Sequence, residues 1–353
     1  FFFQAEDGIR YRSPSRGLGD VYKRQVLCLN HSLQADWPQW RGESGQGNVS
    51  GERLAIKWSE KENVKWKVKT SGRGWSSPVI ESGKIWITSA HETIATEEEA
   101  KERLKANSGR QPLTLLKAAK FHAICIDQDT GRIIHDLELF SVSEPQWVHR
   151  FNSYASSTPV IENEKVYCHF GTYGTACVDS KTGKVLWKNL ELKCMHENGP
   201  GSSPVVVGDH LIFHMDGSDV QYVAALNKKD GKIAWKTFRT GKMHSNPQLK
   251  KGYSTPIIIL RDGTKELISP GANWLYSYDP SSGNENWKVD YETLGFSNVA
   301  RPVSGNGMVY VASEMKSIED KCQKLIEFPP GHYLKSKDCK FIKWYDPSWS
   351  KKI

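Results

Sequence analysis

The stretch Ser203-Pro204-Val205-Val206-Val207, followed by Leu211-Ile212-Phe213, Val223-Ala224-Ala225-Leu226 and Asp230-Gly231-Lys232-Ile233-Ala234-Trp235, decides the fold. Four short apolar runs are separated by turns. A Gly closes the last turn, and a Trp follows four residues later. The pattern recurs upstream from Ser157-Thr158-Pro159-Val160-Ile161 to Trp187, and downstream from Ser254-Thr255-Pro256-Ile257-Ile258 to Trp287. Pro159, Pro204, Pro256 and Pro302 mark a period of about 45–52 residues. A unit of roughly 40–50 residues holding four strands is a β-propeller blade. The fold class is therefore all-β, with about five blades legible.

Each run is rich in Val, Ile, Tyr and Trp, as half-buried strands require. With the strands lettered A to D in chain order, the turn between C and D carries Asp127 with Gly131, Asp179 with Gly183, Gly231 in the third blade, and Asp279 with Gly283. Asp bonds the backbone two residues on, and Gly takes the positive-φ position of the turn. Trp187, Trp235 and Trp287 on strand D supply flat surfaces to pack between blades. Pro on strand A fits an innermost edge that faces a central channel.

This repeat resembles the tryptophan-docking blade of pyrroloquinoline-quinone (PQQ) dehydrogenases. The same blade occurs in the non-enzymatic BamB-type lipoprotein of the outer-membrane assembly machine. The resemblance covers roughly residues 36–315 and is similar to PQQ-binding-like propellers of environmental bacteria. It implies seven or eight blades, of which five are legible. It also implies two contrasting functions. A PQQ dehydrogenase adds an adjacent Cys–Cys pair, a Ca²⁺ site and a catalytic Asp. This sequence has no vicinal cysteines, and Asp127, Asp179 and Asp279 are turn residues on the wrong face. The expectation is thus a non-catalytic propeller binding a protein or small ligand, with no catalytic residue, metal or cofactor. A divergent oxidoreductase using PQQ with Ca²⁺ and an outer-membrane assembly scaffold are the alternatives.

The ends read differently. Residues 1–25 resemble translated sequencing-adapter sequence and are set aside. Val26 to Ala35 reads as the tail of a secretory signal, which places the protein in the periplasm or outside the cell. Residues 316–353 are Lys-rich without strand period and are expected to be an irregular, frameshifted tail. The two ends supply roughly +2 and +4 of the formal net charge of +8. The basic balance therefore does not argue for nucleic acid. No run of 18 apolar residues is present, so no helical membrane span is expected. Among the seven cysteines, Cys125 and Cys177 read as small buried hydrophobes. A Cys168–Cys177 disulfide is open if the chain is exported. No cysteine pair has zinc-ligand spacing.

Along the chain, Asp36-Trp37-Pro38-Gln39-Trp40-Arg41-Gly42 opens the propeller region, and Gly42 to Gly51 reads as a linker. Trp66 reads as the Trp of an outer strand with no blade before it, poised to pair with a last C-terminal blade. His135 stands where other blades place Trp and is expected to pack there with a satisfied ring nitrogen. An insertion at 92–120 separates strands B and C of blade one. Thr96 and Glu99 form a capping box for a helix over 97–105, and Leu113 to Ala119 is a second helical candidate.

Strand alternation puts the D-to-A connections and the B-to-C loops on one face, around the channel mouth. That face is the expected site, with the insertion as a flap beside it. Its candidate ligand-binding residues are His149, Arg150, Asn152, Tyr154, His196, Glu197, His244, Asn246, Asn273, Trp274, Asn298 and Arg301. His149, His196 and His244 hold similar places in successive blades. They could ring a metal or an anion with Arg150 and Arg301. The competing reading is that they satisfy loop backbone and line a wet channel.

Overall fold

The computed structural model describes residues 36–47, 58–105, 112–291, 295–305 and 308–311, and two strands at 332–335 and 340–343. Strands β1 (Val79–Glu81) and β2 (Lys84–Ile94) are followed by helix α1 (Glu97–Leu104), β3 (Leu113–Thr114), β4 (Leu116–Asp127), β5 (Ile133–Ser143) and β6 (Val148–His149). β1-β2-β4-β5 form the first antiparallel blade. Blade two is β7 (Val160–Glu162), β8 (Lys165–His169), β9 (Thr175–Asp179) and β10 (Val185–Asn189). Blade three is β11 (Val205–Val207), β12 (His210–Asp216), β13 (Gln221–Asn227) and β14 (Ile233–Phe238). Blade four is β15 (Ile257–Arg261), β16 (Thr264–Pro270), β17 (Trp274–Tyr278) and β18 (Glu285–Asp290). A fifth begins with β19 (Val303–Gly305) and β20 (Met308–Tyr310). The tail read as irregular carries a hairpin, β21 (His332–Lys335) paired with β22 (Lys340–Lys343).

Strand period explains how the blades stack. Side chains alternate between faces, so each sheet offers one apolar face to each neighbour. In blade two, Val166, Cys168, Ala176 and Val178 pack against Trp86, Phe121 and Cys125 of blade one. The alternate residues Tyr167, Cys177 and Trp187 pack against Leu211, Phe213 and Tyr222 of blade three. Val205, Ile212, Val223 and Trp235 then meet Leu267, Tyr276 and Tyr278 of blade four. The disulfide left open at Cys168–Cys177 does not form. Cys168 pairs with Ala176 and Tyr167 with Cys177, so the two sulfurs point to opposite faces. All four described cysteines are free and buried.

The Asp-x-x-x-Gly turns dock the tryptophans. Asp127, Asp179 and Asp279 each accept backbone N–H bonds within the turn through Oδ1. In blade three that place belongs to Asn227, whose Oδ1 accepts from the Lys229 N–H. The Gly that follows presses its bare Cα against an indole from the preceding blade or, at Gly131, from the segment before blade one. A Cβ on Gly131 would lie 2.5 Å from Trp66, on Gly231 2.4 Å from Trp187, and on Gly283 2.5 Å from Trp235. The three indole N–H groups donate to Gln128, Lys228 and Pro280 carbonyls at 2.9, 2.9 and 3.2 Å. Trp66 therefore fills the docking place at the free side of blade one, although its own segment joins no sheet among the described residues.

His135 fills the fourth docking place, over Gly183, and stacks on Trp86 at 6.2 Å. Its ring nitrogen is not satisfied as expected: Nε2 is buried without a partner. The carbonyl an indole would reach, Ser180 O, is taken by the Lys84 ammonium at 2.8 Å.

The insertion departs from its reading in one half. α1 forms with the Thr96–Glu99 capping box. The second helical candidate, Leu113 to Ala119, is strand: β3, then the start of β4. Leu, Ala and Lys favour helix locally, but Leu116, Ala119 and Phe121 are buried; Leu116 pairs with β2, and Ala119 and Phe121 pair with both β2 and β5. Cross-strand pairing and burial outweigh the weak local preference. The insertion thus lengthens the blade itself, and β3 pairs with β6 beside the mouth.

Of the stretch read as a linker, residues 42–47 are described, 48–51 lie outside the described residues, and 42–47 continue a packed segment that starts at residue 36. Trp37 exchanges two backbone bonds with Ile80, and Ile161 N–H donates to Pro38 O. The Gln46 side-chain amide donates to Ser304 O and Oγ and accepts the Ser304 N–H, and Arg301 donates to Trp40 O. This strap crosses the free inner edges of blades one, two and five and so occupies the channel.

Candidate functional site

The strand-A sequence Ser/Thr-Pro recurs because its hydroxyl links blades. Ser77 N–H donates to Thr158 Oγ1 at 3.0 Å, Thr158 N–H to Ser203 Oγ at 3.0 Å, and Ser203 N–H to Thr255 Oγ1 at 2.9 Å. In blades one to three the inner-edge donor is thus satisfied by the next blade. In the fifth blade Arg301 holds the equivalent place.

These four hydroxyl residues line a cavity of about 460 Å³ at the channel mouth. Trp40 of the strap, Trp75, Phe151, Tyr253 and Val299 give it apolar surface; His149, Asn152, Asn198 and Ser297 give it polar atoms. Trp75, Phe151 and Val299 stand 56%, 70% and 62% exposed, so the rim is apolar. Arg73 lies over Trp75 and Arg150 over Phe151. Asn198 Oδ1 is buried with no partner. Glu197, Asn273 and Ser297, in loops at this face, hold φ of 65°, 63° and 54°. Such backbone is uncommon outside Gly and is tolerated where packing over-determines it.

Behind the cavity lies a second, water-sized void lined by His169, His196, His214, Asp216 and Tyr253. Burial pushes His196 down to about 4 and His169 down to about 3, so both are neutral. His196 Nε2 accepts the Thr172 N–H at 3.0 Å. Beside them Arg239 forks onto Asp216 at 3.1 and 2.7 Å, touches His214 Nδ1 at 3.0 Å, and lies on Tyr276 and Tyr278. Burial raises the Asp216 carboxyl, but Arg239 and His214 outweigh it and hold the group below its usual range.

Residues 119–258 match a family model described as outer membrane protein assembly factor BamB. Over that stretch the blades are BamB-type, PQQ-like propeller repeats. Among solved structures, the chain is similar to BamB from Moraxella catarrhalis, at 15% identity and a TM-score of 0.36, covering 55% of this chain and 52% of that one. A europium-containing methanol dehydrogenase shares 13% identity with a TM-score of 0.47, over 77% of this chain and 53% of that one. Quinohemoprotein alcohol dehydrogenase from Comamonas testosteroni shares 12% with a TM-score of 0.47, over 78% and 45%. The chain thus spans about half the length of these structures. Shorter stretches match asparagine synthetases. The root enzyme of Pisum sativum is 36% identical over 76 residues, 21% of this chain and 13% of the enzyme. That of Sandersonia aurantiaca is 42% identical over 126 residues, 32% and 24%.

Within this BamB-type frame the sequence-predicted residues scatter. His149 and Asn152 line the mouth cavity. His149 Nδ1 accepts the Phe151 N–H, and Asn152 Nδ2 donates to Asn198 O at 2.7 Å. Arg150 is exposed at the rim. Tyr154 is fully buried, its hydroxyl donating to Gln146 O, so it belongs to the core instead. His196 faces the inner void. Glu197 accepts from Trp147 and Ser218. His244 and Asn246 are exposed and organise a turn: His244 Nδ1 accepts the Asn246 N–H, and Asn246 caps the 3-10 turn at Pro247–Leu249. Asn273 and Trp274 hold loop backbone, the indole donating to Lys242 O. Asn298 donates to Gly271 O and Tyr291 Oη. Arg301 is buried on Trp40, and burial, then Arg41, push it down to about 10. The three-histidine ring is not formed: one histidine is at the cavity, one is buried behind it, and one is in an exposed turn. Loop path, not blade number, decides where each side chain ends.

The residues that build the cavity without having been singled out are Trp40, Trp75, Tyr253, Asn198 and the hydroxyl ring. The Ser/Thr before each strand-A Pro was the signal available for the ring. Nothing local marks Trp40, whose strap folds in from the chain's far side.

Proposed function

We propose that this propeller is a non-catalytic binding module, exported from the cell, whose mouth cavity takes an uncharged, flat-faced small ligand or partner side chain offering an N–H or O–H. The observation that carries the reading is Asn198 Oδ1: a buried acceptor without a partner, set in an aromatic-lined cavity. A buried acceptor left unmade costs roughly 1–3 kcal/mol, which a donating ligand recovers. Aromatic faces at Trp40, Trp75 and Phe151 favour flat or apolar surfaces. Export rests on the reading of Val26 to Ala35.

The quinone alternative fits this site poorly. A Ca²⁺-bound, multiply anionic cofactor needs carboxylate ligands for the metal and cations for its own acids. The cavity lining holds neither Asp, Glu, Lys nor Arg. No redox step is assigned. The assembly-scaffold reading is favoured by the match over residues 119–258, and the exposed apolar rim supplies a surface for it. The asparagine synthetase matches cover too little of those enzymes to bring an activity across.

Tryptophan fluorescence tests the proposal, since Trp40 and Trp75 line the cavity. Titrations would use neutral oligosaccharides, uncharged aromatic peptides, a peptide from an outer-membrane β-barrel precursor, and PQQ with Ca²⁺. Saturable binding of a neutral probe, lost in Trp75→Ala and Asn198→Leu, is expected; for the precursor peptide it favours the scaffold. Micromolar PQQ binding with dye-coupled alcohol oxidation, or no binding across the panel, refutes the proposal.

A further inference from the structure

On the other side of blade one lies a cluster that the mouth cavity does not use. His91 on β2, His122 on β4 and Asp136 on β5 each place one ligand-type atom within 4.8 Å of those of the other two. His91 pairs in register with Lys120, and Ser89 with His122, so the two histidines are diagonal neighbours on one sheet face. Trp86, Ala90, Phe121 and Cys125 point the other way, into the core shared with blade two. The histidines therefore face away from that core, under the segment at Ser71–Gly74: a Cβ on Gly72 would meet His91 Cδ2 at 2.5 Å.

The hydrogen bonds define which nitrogens are free. His122 Nδ1 is 2.7 Å from Asp136 Oδ1. A carboxylate at that distance accepts, so Nδ1 is the ring nitrogen that donates. Ser71 Oγ holds the other oxygen at 2.5 Å. The other ring nitrogen of His122, Nε2, has no such partner. It is buried without a partner on a residue only 8% exposed. His91 Nε2 is likewise buried and unpartnered. The rings stack at 4.0 Å with 13° between planes. Lys120, in register with His91, is paired with Glu138 at 2.9 Å.

The geometry points to a divalent transition-metal site of the Zn²⁺ class, held by the imidazoles of His91 and His122, with Asp136 fixing the His122 tautomer. Two orphaned, buried Nε2 atoms on adjoining rings, one residue buried and one half-buried, are the feature that a metal satisfies and a purely structural histidine pair does not. The carboxylate–imidazole–metal arrangement is the usual way a ligand histidine is oriented and made more basic. Two nitrogens on a tetrahedral ion at about 2.0–2.1 Å sit about 3.4 Å apart. Loading therefore turns the rings out of their parallel stack, while His91, only partly buried, leaves an opening for water to complete the coordination. Imidazole donors select Zn²⁺, Cu²⁺, Ni²⁺ or Co²⁺ over Ca²⁺ and Mg²⁺.

The test uses tag-free, chelator-treated protein. Zn²⁺ is titrated calorimetrically, and Co²⁺ is followed by its visible d–d bands; Ca²⁺ is the control. One equivalent of Zn²⁺ is expected to bind, with at least tenfold weaker binding in His91→Phe and His122→Phe, which keep a stacked ring. Asp136→Asn should weaken binding about 10–100-fold without abolishing it. Circular dichroism and thermal midpoints of the metal-free variants verify the fold, and His91→Gln replaces His91→Phe if that variant misfolds. No Zn²⁺ binding by the wild-type chain overturns the assignment. So does unchanged binding in the His91→Phe/His122→Phe double variant, or equal affinity for Ca²⁺.

Discussion

Gly231→Ala isolates the docking contact that joins blades two and three. Gly231 has φ +73, and an added Cβ would lie 2.4 Å from Trp187 Cε3 and 2.6 Å from Cδ2. Gly208 is the matched control: φ +54, with nothing within 4 Å of its added Cβ. Both substitutions place a side chain in the left-handed region, costing about 1–2 kcal/mol. Both recover about 0.4–1 kcal/mol through the unfolded chain. Gly231→Ala must also displace an indole that is 8% exposed and holds the Lys228 carbonyl. Overpacking of this kind adds about 1–3 kcal/mol. The expected gap between the two variants is therefore about 1–3 kcal/mol. At about 2–4 °C per kcal/mol for a domain of this size, that is a difference of about 2–12 °C in Tm. Urea and thermal unfolding measure it. In a Trp187→Ala background the clash is gone, so Gly231→Ala should cost no more than Gly208→Ala, a coupling of about 1–3 kcal/mol. Equal costs for Gly231→Ala in both backgrounds would refute docking as the inter-blade lock.

Thr158→Val keeps the shape but strands the Ser77 N–H, so a loss of about 1–3 kcal/mol is expected, with Thr158→Ser near wild type; equal urea midpoints for Val and Ser would remove the hydroxyl relay. Arg239→Met leaves Asp216 charged and buried and should cost about 3–5 kcal/mol, while adding Asp216→Asn should recover most of it. A double variant no better than the single one, by thermal melt, counts against that pair. Acid sensitivity follows from His169 and His196, held neutral at about 3 and about 4 by burial against about 6.5 when unfolded. The unfolded chain then binds more protons between those values, so this stability is complete above pH 6.5 and falls as pH drops toward 4. The slope reaches about 2.7 kcal/mol per pH unit for two histidines. His196→Gln should halve the slope of urea stability against pH, and an unchanged slope would contradict it.

The blades were legible because their causes are local. A period-two apolar run, a Pro on an inner edge, an Asp or Asn turn and a Gly at positive φ act within one repeat, and each repeat displays them again. The capping box of α1 was readable for the same reason. Leu113 to Ala119 was not, since only pairing with both β2 and β5 makes that stretch a strand. The mouth site was legible as a face but not as a residue set. Which loop side chain reaches the cavity depends on loop path, and that is set by partners in other blades: Asn152 by Asn198, Tyr253 by His196, Arg301 by Trp40. His149 and His244 look alike in sequence, yet one lines a cavity and the other shapes an exposed turn.

By itself, then, the sequence determined the repeat, the strand order within it and the tryptophan-docking turns, because short-range stereochemistry and alternation suffice for those. Only the tertiary structure decided the strap across the channel, the hydroxyl relay, the Lys84 replacement at the His135 docking place and the His91–His122–Asp136 cluster. Each joins residues from different strands or blades, and their meeting depends on sheet register and blade stacking rather than on spacing along the chain.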